Sequence, residues 1–79
     1  MKLDAEIIVK EDIKDIERLF SSEEKNFANE RARYEIRKEK DRLVFLVHAE
    51  DSSALRAVVT SITKLLSVYE KTKRIVQEK

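Results

Sequence analysis

The sequence predicts an α+β domain in the order β-α-β-β-α, with a three-stranded antiparallel sheet and two helices on one face. Three observations lead to this prediction. Two stretches alternate between apolar and polar residues with the period of a strand, and a third stretch is apolar on both faces. A long segment without Gly or Pro then repeats its apolar residues with the period of a helix. At 79 residues, the chain is expected to form a single domain, 1–79.

The N-terminal part of the chain predicts a strand followed by a short helix. In residues 2–10 every second position is apolar, as in a strand that buries one face. In residues 11–20 the period changes to that of a helix, and Ile13, Ile16 and Phe20 fall on one side of it. This helix is expected on the same face of the sheet as the long helix described below, with these three residues at the border of the side exposed to a partner.

The middle of the chain predicts a loop and a β-hairpin. Residues 21–30 are mostly polar and predict a loop. Residues 31–38 alternate again, whereas residues 42–49 are apolar on both faces, as in a strand that lies between two others. The third strand is therefore expected in the middle of the sheet.

The last segment predicts a long helix over residues 51–76, with Asp51 as its N-cap. Its apolar arc, continued by Ile75 and Val76, is about 200° wide, whereas one core contact needs only about 100°. We therefore predict that one side of the helix packs on the sheet and another binds a partner, and the pattern leaves open which side is which. The predicted partner surface on both helices comprises Ile13, Ile16, Phe20, Leu55, Val58, Ile62, Leu65, Val68 and Tyr69.

No catalytic, cofactor or metal site is predicted, so the protein is not expected to be an enzyme. There is no Cys, which excludes a thiolate nucleophile and a zinc knuckle. His48 is the one imidazole, and a single His without Cys does not form a metal site. The absence of Gly excludes a P-loop, a dinucleotide fingerprint and the GXXG loop of RNA-binding KH domains.

Composition indicates where such a protein works. Charged residues make up 42% of the chain although the net charge is only +1, and Asn, Gln and Met are rare, a pattern associated with hyperthermophiles. No apolar run approaches the length of about 18 residues that a membrane span requires, and the N-terminus lacks a secretory apolar region. We expect a soluble cytoplasmic protein of a thermophile, without contact to a membrane.

The predicted hairpin carries a concentration of positive charge. Residues 31–42 contain six basic and three acidic side chains. Arg31, Arg37 and Lys40 are candidate contacts to RNA phosphates. A solvated edge strand, protected by its charges against aggregation, is the alternative interpretation.

A homodimer is expected because a chain of this size is marginally stable alone and because the predicted sheet has unpaired edges. We favour the edge formed by residues 31–38. An antiparallel pairing about Tyr34 would set Arg33 opposite Glu35 of the other chain, a favourable cross-strand pair. The edge formed by residues 3–9 is the competing candidate.

Four short segments around the long helix resemble a known family. They are Ala49-Glu50-Asp51, Leu55-Arg56-Ala57, Thr60-Ser61 and Leu65-Leu66. These residues are similar to the pattern A-x-D-x-x-x-L-R-x-x-x-N-S of the small dimerising subunit of the KEOPS (EKC) complex, the CTAG/Pcc family, which the chain also resembles in length and element order. Thr60 stands where the family often has Asn, and Ser21 and Ser22 stand where a Pro commonly follows the first helix.

This resemblance implies a non-catalytic dimerising and scaffolding subunit of the KEOPS complex, which makes N6-threonylcarbamoyladenosine at position 37 of tRNA. It implies that the helices dock the transferase subunit, and that the kinase and kinase-binding subunits are reached through it. It also implies that the RNA bound by the basic residues of the hairpin would be tRNA. The alternative is a stand-alone small RNA-binding module of KH-like topology without a GXXG loop, for which strong and salt-dependent RNA binding by the isolated chain would be diagnostic.

Overall fold

The computed structural model describes residues 1–27 and 29–77, with side chains up to residue 73. Its elements are β1 (Leu3–Val9), α1 (Ile13–Phe20), β2 (Asn26–Phe27), β3 (Ala32–Lys38), β4 (Leu43–Ala49) and α2 (Ser52–Gln77). The predicted α+β class is therefore confirmed, and both predicted helices lie close to their expected positions. The side chains of Ile75 and Val76, which continue the predicted apolar arc, lie outside the described part.

The strands form one antiparallel sheet in the order β1-β4-β3-β2. The predicted central position of residues 42–49 is confirmed, because β4 pairs with β1 on one side and with β3 on the other. The prediction of three strands is wrong, since the loop predicted over 21–30 contains the fourth strand, β2. A strand of two residues is too short to produce an alternating pattern, so its pairing with β3 was not visible in the sequence.

One face of the sheet carries the core. Across this face Ile7 lies opposite Phe45, which lies opposite Ile36 on the next strand. Phe20 of α1 packs edge-on against Phe45, with ring centroids 4.8 Å apart, and against Tyr34 at 6.3 Å. Residues of α1 and α2 belong to the same buried cluster as this face, which confirms that both helices lie on one side of the sheet.

Helix α2 starts at a well-defined cap. The backbone N–H of Ala54 donates to Asp51 Oδ1 at 2.8 Å, as predicted for an N-cap at this position. Arg31 donates to the other carboxylate oxygen at 2.5 Å, so the cap also ties α2 to the start of β3. With 26 residues α2 is about 39 Å long, most of the 47 Å long axis of the molecule.

Candidate functional site

Four residues of the predicted partner surface belong to the core of the domain itself. Ile16 and Phe20 of α1 are 5% and 1% exposed, and Val58 and Ile62 of α2 are 0% and 1% exposed. Together with Ala54 they define the side of α2 that packs on the sheet. The sequence had left this side undecided, because the apolar arc covers both flanks of it.

The other five residues of the predicted surface remain accessible to different degrees. Ile13, Leu55, Leu65 and Tyr69 are half-buried against the core, whereas Val68 is 53% exposed. Among the side chains described up to residue 73, the fully buried ones of α2 all precede Leu65. The second half of α2 thus keeps apolar side chains that its own sheet does not cover.

A groove lies between the second half of α2, the end of β1 and the start of α1. Its volume is about 520 Å³. Val9, Ile16, Leu66 and Tyr69 form its apolar lining, Ile8 borders it at the end of β1, and Lys10, Glu11, Asp12, Glu70 and Lys73 form its charged rim. We call this the α1–α2 groove. The predicted site missed Leu66, although it belongs to the helical stripe, and missed Ile8 and Val9 because sequence spacing does not place β1 next to α2.

Two polar contacts join the helices at the groove. The hydroxyl of Tyr69 donates to Asp15 Oδ2 at 3.2 Å, and the ammonium of Lys73 contacts Asp12 Oδ2. Desolvation, followed by the nearby carboxylates of Asp12 and Asp15, raises the pKa of Tyr69. The hydrogen bond to Asp12 raises the pKa of Lys73. Both groups therefore keep their protons at neutral pH, and they connect α2 with α1 and with the residue that precedes it.

The predicted dimer edge about Tyr34 is occupied on one side by β2. Arg33 and Glu35 are exposed, but Tyr34 is only 4% exposed. Its backbone N–H donates to the carbonyl of Lys25 at 3.1 Å, and Arg33 pairs with Asn26 of β2. Pairing with a second chain about Tyr34 stays a prediction, and it requires β2 to leave this edge.

The three candidate RNA contacts do not form one cluster. Arg31 precedes β3 and pairs with Asp51, whereas Arg37 lies near the other end of β3 and Lys40 in the turn beyond it. Within the described residues, Arg37 and Lys40 are exposed and have no ion pair within 4 Å, and are available to a phosphate.

The face of the sheet opposite the helices is apolar in its centre. Ile8, Val44 and Arg37 form one row across three strands, in which Ile8 is 45% exposed and Val44 only 5%. At one end of the face His48 Nδ1 lies 2.8 Å from Asp4 Oδ1. In residues 1–27 and 29–77, no group of three or more His, Cys, Asp or Glu side chains is arranged to hold a metal ion. No helix in these ranges is long and apolar enough to cross a membrane.

Comparison with known families identifies one match. The model of a family described as transcription factor Pcc1 matches residues 14–74, which include most of both helices and all of β2, β3 and β4. The same comparison with curated proteins and with solved structures gave no match. The matched region covers well over half of the chain, and it contains the segments on which the resemblance rests.

Proposed function

Because the chain belongs to the Pcc1 family, a family of non-catalytic subunits of the KEOPS complex that functions in tRNA processing, we propose that it is the dimerising scaffold of that complex. In this proposal it docks the transferase subunit that makes N6-threonylcarbamoyladenosine at position 37 of tRNA. The kinase and kinase-binding subunits are then reached through the transferase, and the complex works in the cytoplasm. The protein itself contributes binding surfaces and no chemistry.

The observation that carries the docking proposal is the uncovered apolar part of the helices. The α1–α2 groove, and Val68 on a different side of α2 from the groove, offer apolar surface to a partner. In helix-in-groove recognition a few buried anchors provide most of the affinity. A long α2 is useful for this purpose, because its first half anchors the domain while its second half presents Leu65, Val68 and Tyr69.

The test is a Lys scan along α2 in the full chain, read by circular dichroism and by capture of the purified transferase subunit. Val68→Lys is expected to keep the fold and lose capture, because the partner would bury an unpaired charge. Leu55→Lys asks whether the surface continues along the other flank of α2. Thr60→Lys, on the exposed side of the same helix, is the matched control and is expected to leave capture unchanged.

Two results would reject the docking face. If Val68→Lys and Leu55→Lys each capture as much transferase subunit as the wild type, the partner binds elsewhere. Loss of helical signal in every variant of the scan, Val68→Lys and Leu55→Lys included, would show that these side chains support the fold and do not form a docking face. Ile62→Lys is expected to unfold the domain, since Ile62 is 1% exposed in the core.

The exposed basic residues of the hairpin support a second candidate function, a stand-alone RNA-binding module. Arg37 and Lys40 lie free on the surface of the described structure. Tight tRNA binding by the isolated chain that falls steeply with salt would favour this function over the scaffold. The absence of Gly, and with it of a GXXG loop, favours the scaffold.

A further inference from the structure

The face of the sheet opposite the helices, which we call the open face, departs from the pattern of a solvated face. An antiparallel sheet with one face in water normally carries polar side chains on that face. Here the central strand β4 carries Val44 and Leu46, and β1 carries Ile8. Val44 is 5% exposed, Leu46 is half-buried and Ile8 is 45% exposed. The centre of the open face thus presents apolar surface that the described helices, packed on the other face, leave uncovered.

Two carboxylates flank Leu46 on the open face. Glu6 of β1 and Glu35 of β3 lie directly opposite it in the registers of the two strand pairs. Both are exposed, and neither makes an ion pair within 4 Å in the described part of the chain. Because neighbouring strands are about 4.8 Å apart, the Cα atoms of Glu6 and Glu35 are about 10 Å apart. This separation is close to the diameter of an α-helix with its side chains, about 10–12 Å.

We propose that the open face docks an amphipathic helix of a partner protein, with its axis along β4. The apolar stripe of this helix covers Ile8, Val44 and Leu46. Lys or Arg side chains on both flanks of the stripe pair with Glu6 and Glu35. The helix forms a third layer, on the opposite side of the sheet from α1 and α2. The inference goes beyond the proposed function, because a partner here and a partner on the helices can be bound at the same time.

Charge argues against two other occupants of the open face. The phosphates of RNA are repelled by Glu6 and Glu35 at its centre, and Arg37 lies at its margin on β3. A second copy packed face to face about Leu46 sets the carboxylates of one copy against those of the other, which is unfavourable. A helix with basic flanks neutralises both carboxylates while it removes them from water, and so avoids the cost of an unpaired buried charge.

The probe is a synthetic peptide of about 20 residues, long enough to form a helix, with one stripe of Leu flanked on both sides by Lys. The full chain, with labelled Ile, Leu and Val methyl groups, is titrated with this peptide and followed by NMR. The methyl signals of Val44 and Leu46 are expected to shift, whereas those of Leu66 and Val68 on α2 stay in place. The same peptide with Glu in place of Lys is expected to bind several-fold more weakly.

A charge reversal tests the two flanks. Glu6→Lys with Glu35→Lys is expected to keep the fold, because both side chains are exposed, and to bind the Glu peptide more tightly than the Lys peptide. Glu23→Lys with Glu70→Lys is the matched control, since it makes the same charge change away from the open face. The control variant is expected to keep the wild-type preference for the Lys peptide. Circular dichroism checks that each variant is folded.

Four results would overturn the inference. Shifts of Leu66 and Val68 in place of Val44 and Leu46, or loss of Lys-peptide binding in the control variant, would place the peptide on the helices, where Glu70 lies on the rim of the α1–α2 groove. The absence of any shift at millimolar peptide would leave the open face to solvent. Shifts of Val44 and Leu46 on addition of tRNA would assign the face to RNA, and the same shifts on raising the protein concentration alone would assign it to a second copy. Capture of the transferase is read with the α2 variants, so the docking proposal stands or falls independently of these results.

Discussion

The ammonium of Lys73 contacts the carboxylate of Asp12, which lies 61 positions earlier in the chain and directly before α1. Asp12 adopts a positive φ of 55° and makes no side-chain cap hydrogen bond to the helix that follows it. Its carboxylate is used instead to bind α2. An Asp at the N-cap position normally accepts from the first turn of its own helix, so this arrangement exchanges a local contact for a contact between the helices.

The first prediction concerns this contact. Lys73→Met is expected to lower the midpoint of thermal unfolding, because the apolar stem is retained while the ion pair is lost. Lys71→Met is the matched control, since Lys71 is exposed on the same helix and has no ion pair in the described structure. In an Asp12→Ala background Lys73→Met should have little further effect. Equal effects of Lys73→Met in both backgrounds would contradict the pairing.

The pH dependence of the same effect follows from the raised pKa of Lys73. A raised pKa in the folded state means that the contribution is fully present below the unfolded value of about 10.4. It is lost as the pH rises through the folded value. The difference in unfolding midpoint between the wild type and Lys73→Met should therefore be constant from pH 7 to about pH 9 and shrink in strong alkali.

The second prediction concerns the cap of α2. The hydrogen bond from the backbone N–H of Ala54 is the largest cause that lowers the pKa of Asp51; desolvation opposes it, and the Arg31 guanidinium lowers the pKa further. Asp51→Ala is expected to destabilise the domain at pH 7 more than Asp51→Asn, which keeps an acceptor for the cap. Glu50→Ala is the neighbouring control and should have little effect, since Glu50 is exposed.

The sign of this pH dependence is opposite to that of Lys73. A lowered pKa gives a contribution that is fully present above the unfolded value of about 3.9 and is lost as the pH falls through the folded value. Thermal unfolding followed by circular dichroism should show wild type and Asp51→Asn converging in acid. A difference that persists unchanged at about pH 2 would show that the charge of Asp51 has no part in it.

Much of the fold was predictable because its signals are local and periodic. The alternation in β1 and β3 and the two apolar faces of β4 determine the faces and the central position, as the registers confirm. Strand β2 had no such signal: its two residues pair with β3 through the backbone, and only the assembled sheet brings Asn26 beside Arg33. Missing β2 also affected the predicted dimer contact, because β2 covers part of the β3 edge that was predicted to dimerise.

The candidate site was predictable as a set of apolar residues but not as a surface. A pattern about 200° wide shows that α2 has more apolar residues than one contact needs, yet it cannot assign Val58 to the core and Val68 to solvent. That distinction depends on where the sheet ends beneath the helix. The apolar lining that Val9 contributes likewise depends on a contact between elements that lie far apart in sequence.

The third prediction tests the basic hairpin in the assembled complex. Arg37→Glu with Lys40→Glu is expected to weaken tRNA binding without loss of fold, because both side chains are exposed. The slope of log affinity against log salt should fall by about 1 for each phosphate contact removed. Adding Arg31→Glu extends the test and also breaks the ion pair with Asp51.

The matched control for the hairpin is Lys64→Glu with Lys71→Glu, the same charge change on the exposed side of α2. It is expected to leave the salt slope of tRNA binding unchanged. Equal tRNA affinity of the hairpin variant and the wild type at low salt would assign the hairpin to a solvated edge. Equal weakening by both variants would mean that only the net charge of the protein matters.

The last prediction separates folding from docking with one substitution made at two places in α2. Val58→Ala removes two buried methyl groups from the core and is expected to cost about 2 kcal/mol of the free energy of unfolding. Val68→Ala removes the same groups from a side chain that is 53% exposed, and should change the free energy of unfolding by less than about 0.5 kcal/mol. Chemical denaturation measures both.

Capture of the transferase subunit should then show the reverse order. Val68→Ala is expected to weaken capture because it removes an accessible anchor, whereas Val58→Ala, held below its unfolding transition, should retain it. The pair controls for side-chain chemistry and for the helix, so that position relative to the sheet is the one variable. If Val58→Ala weakens capture while still folded and Val68→Ala does not, the partner does not bind the side of α2 on which Val68 lies.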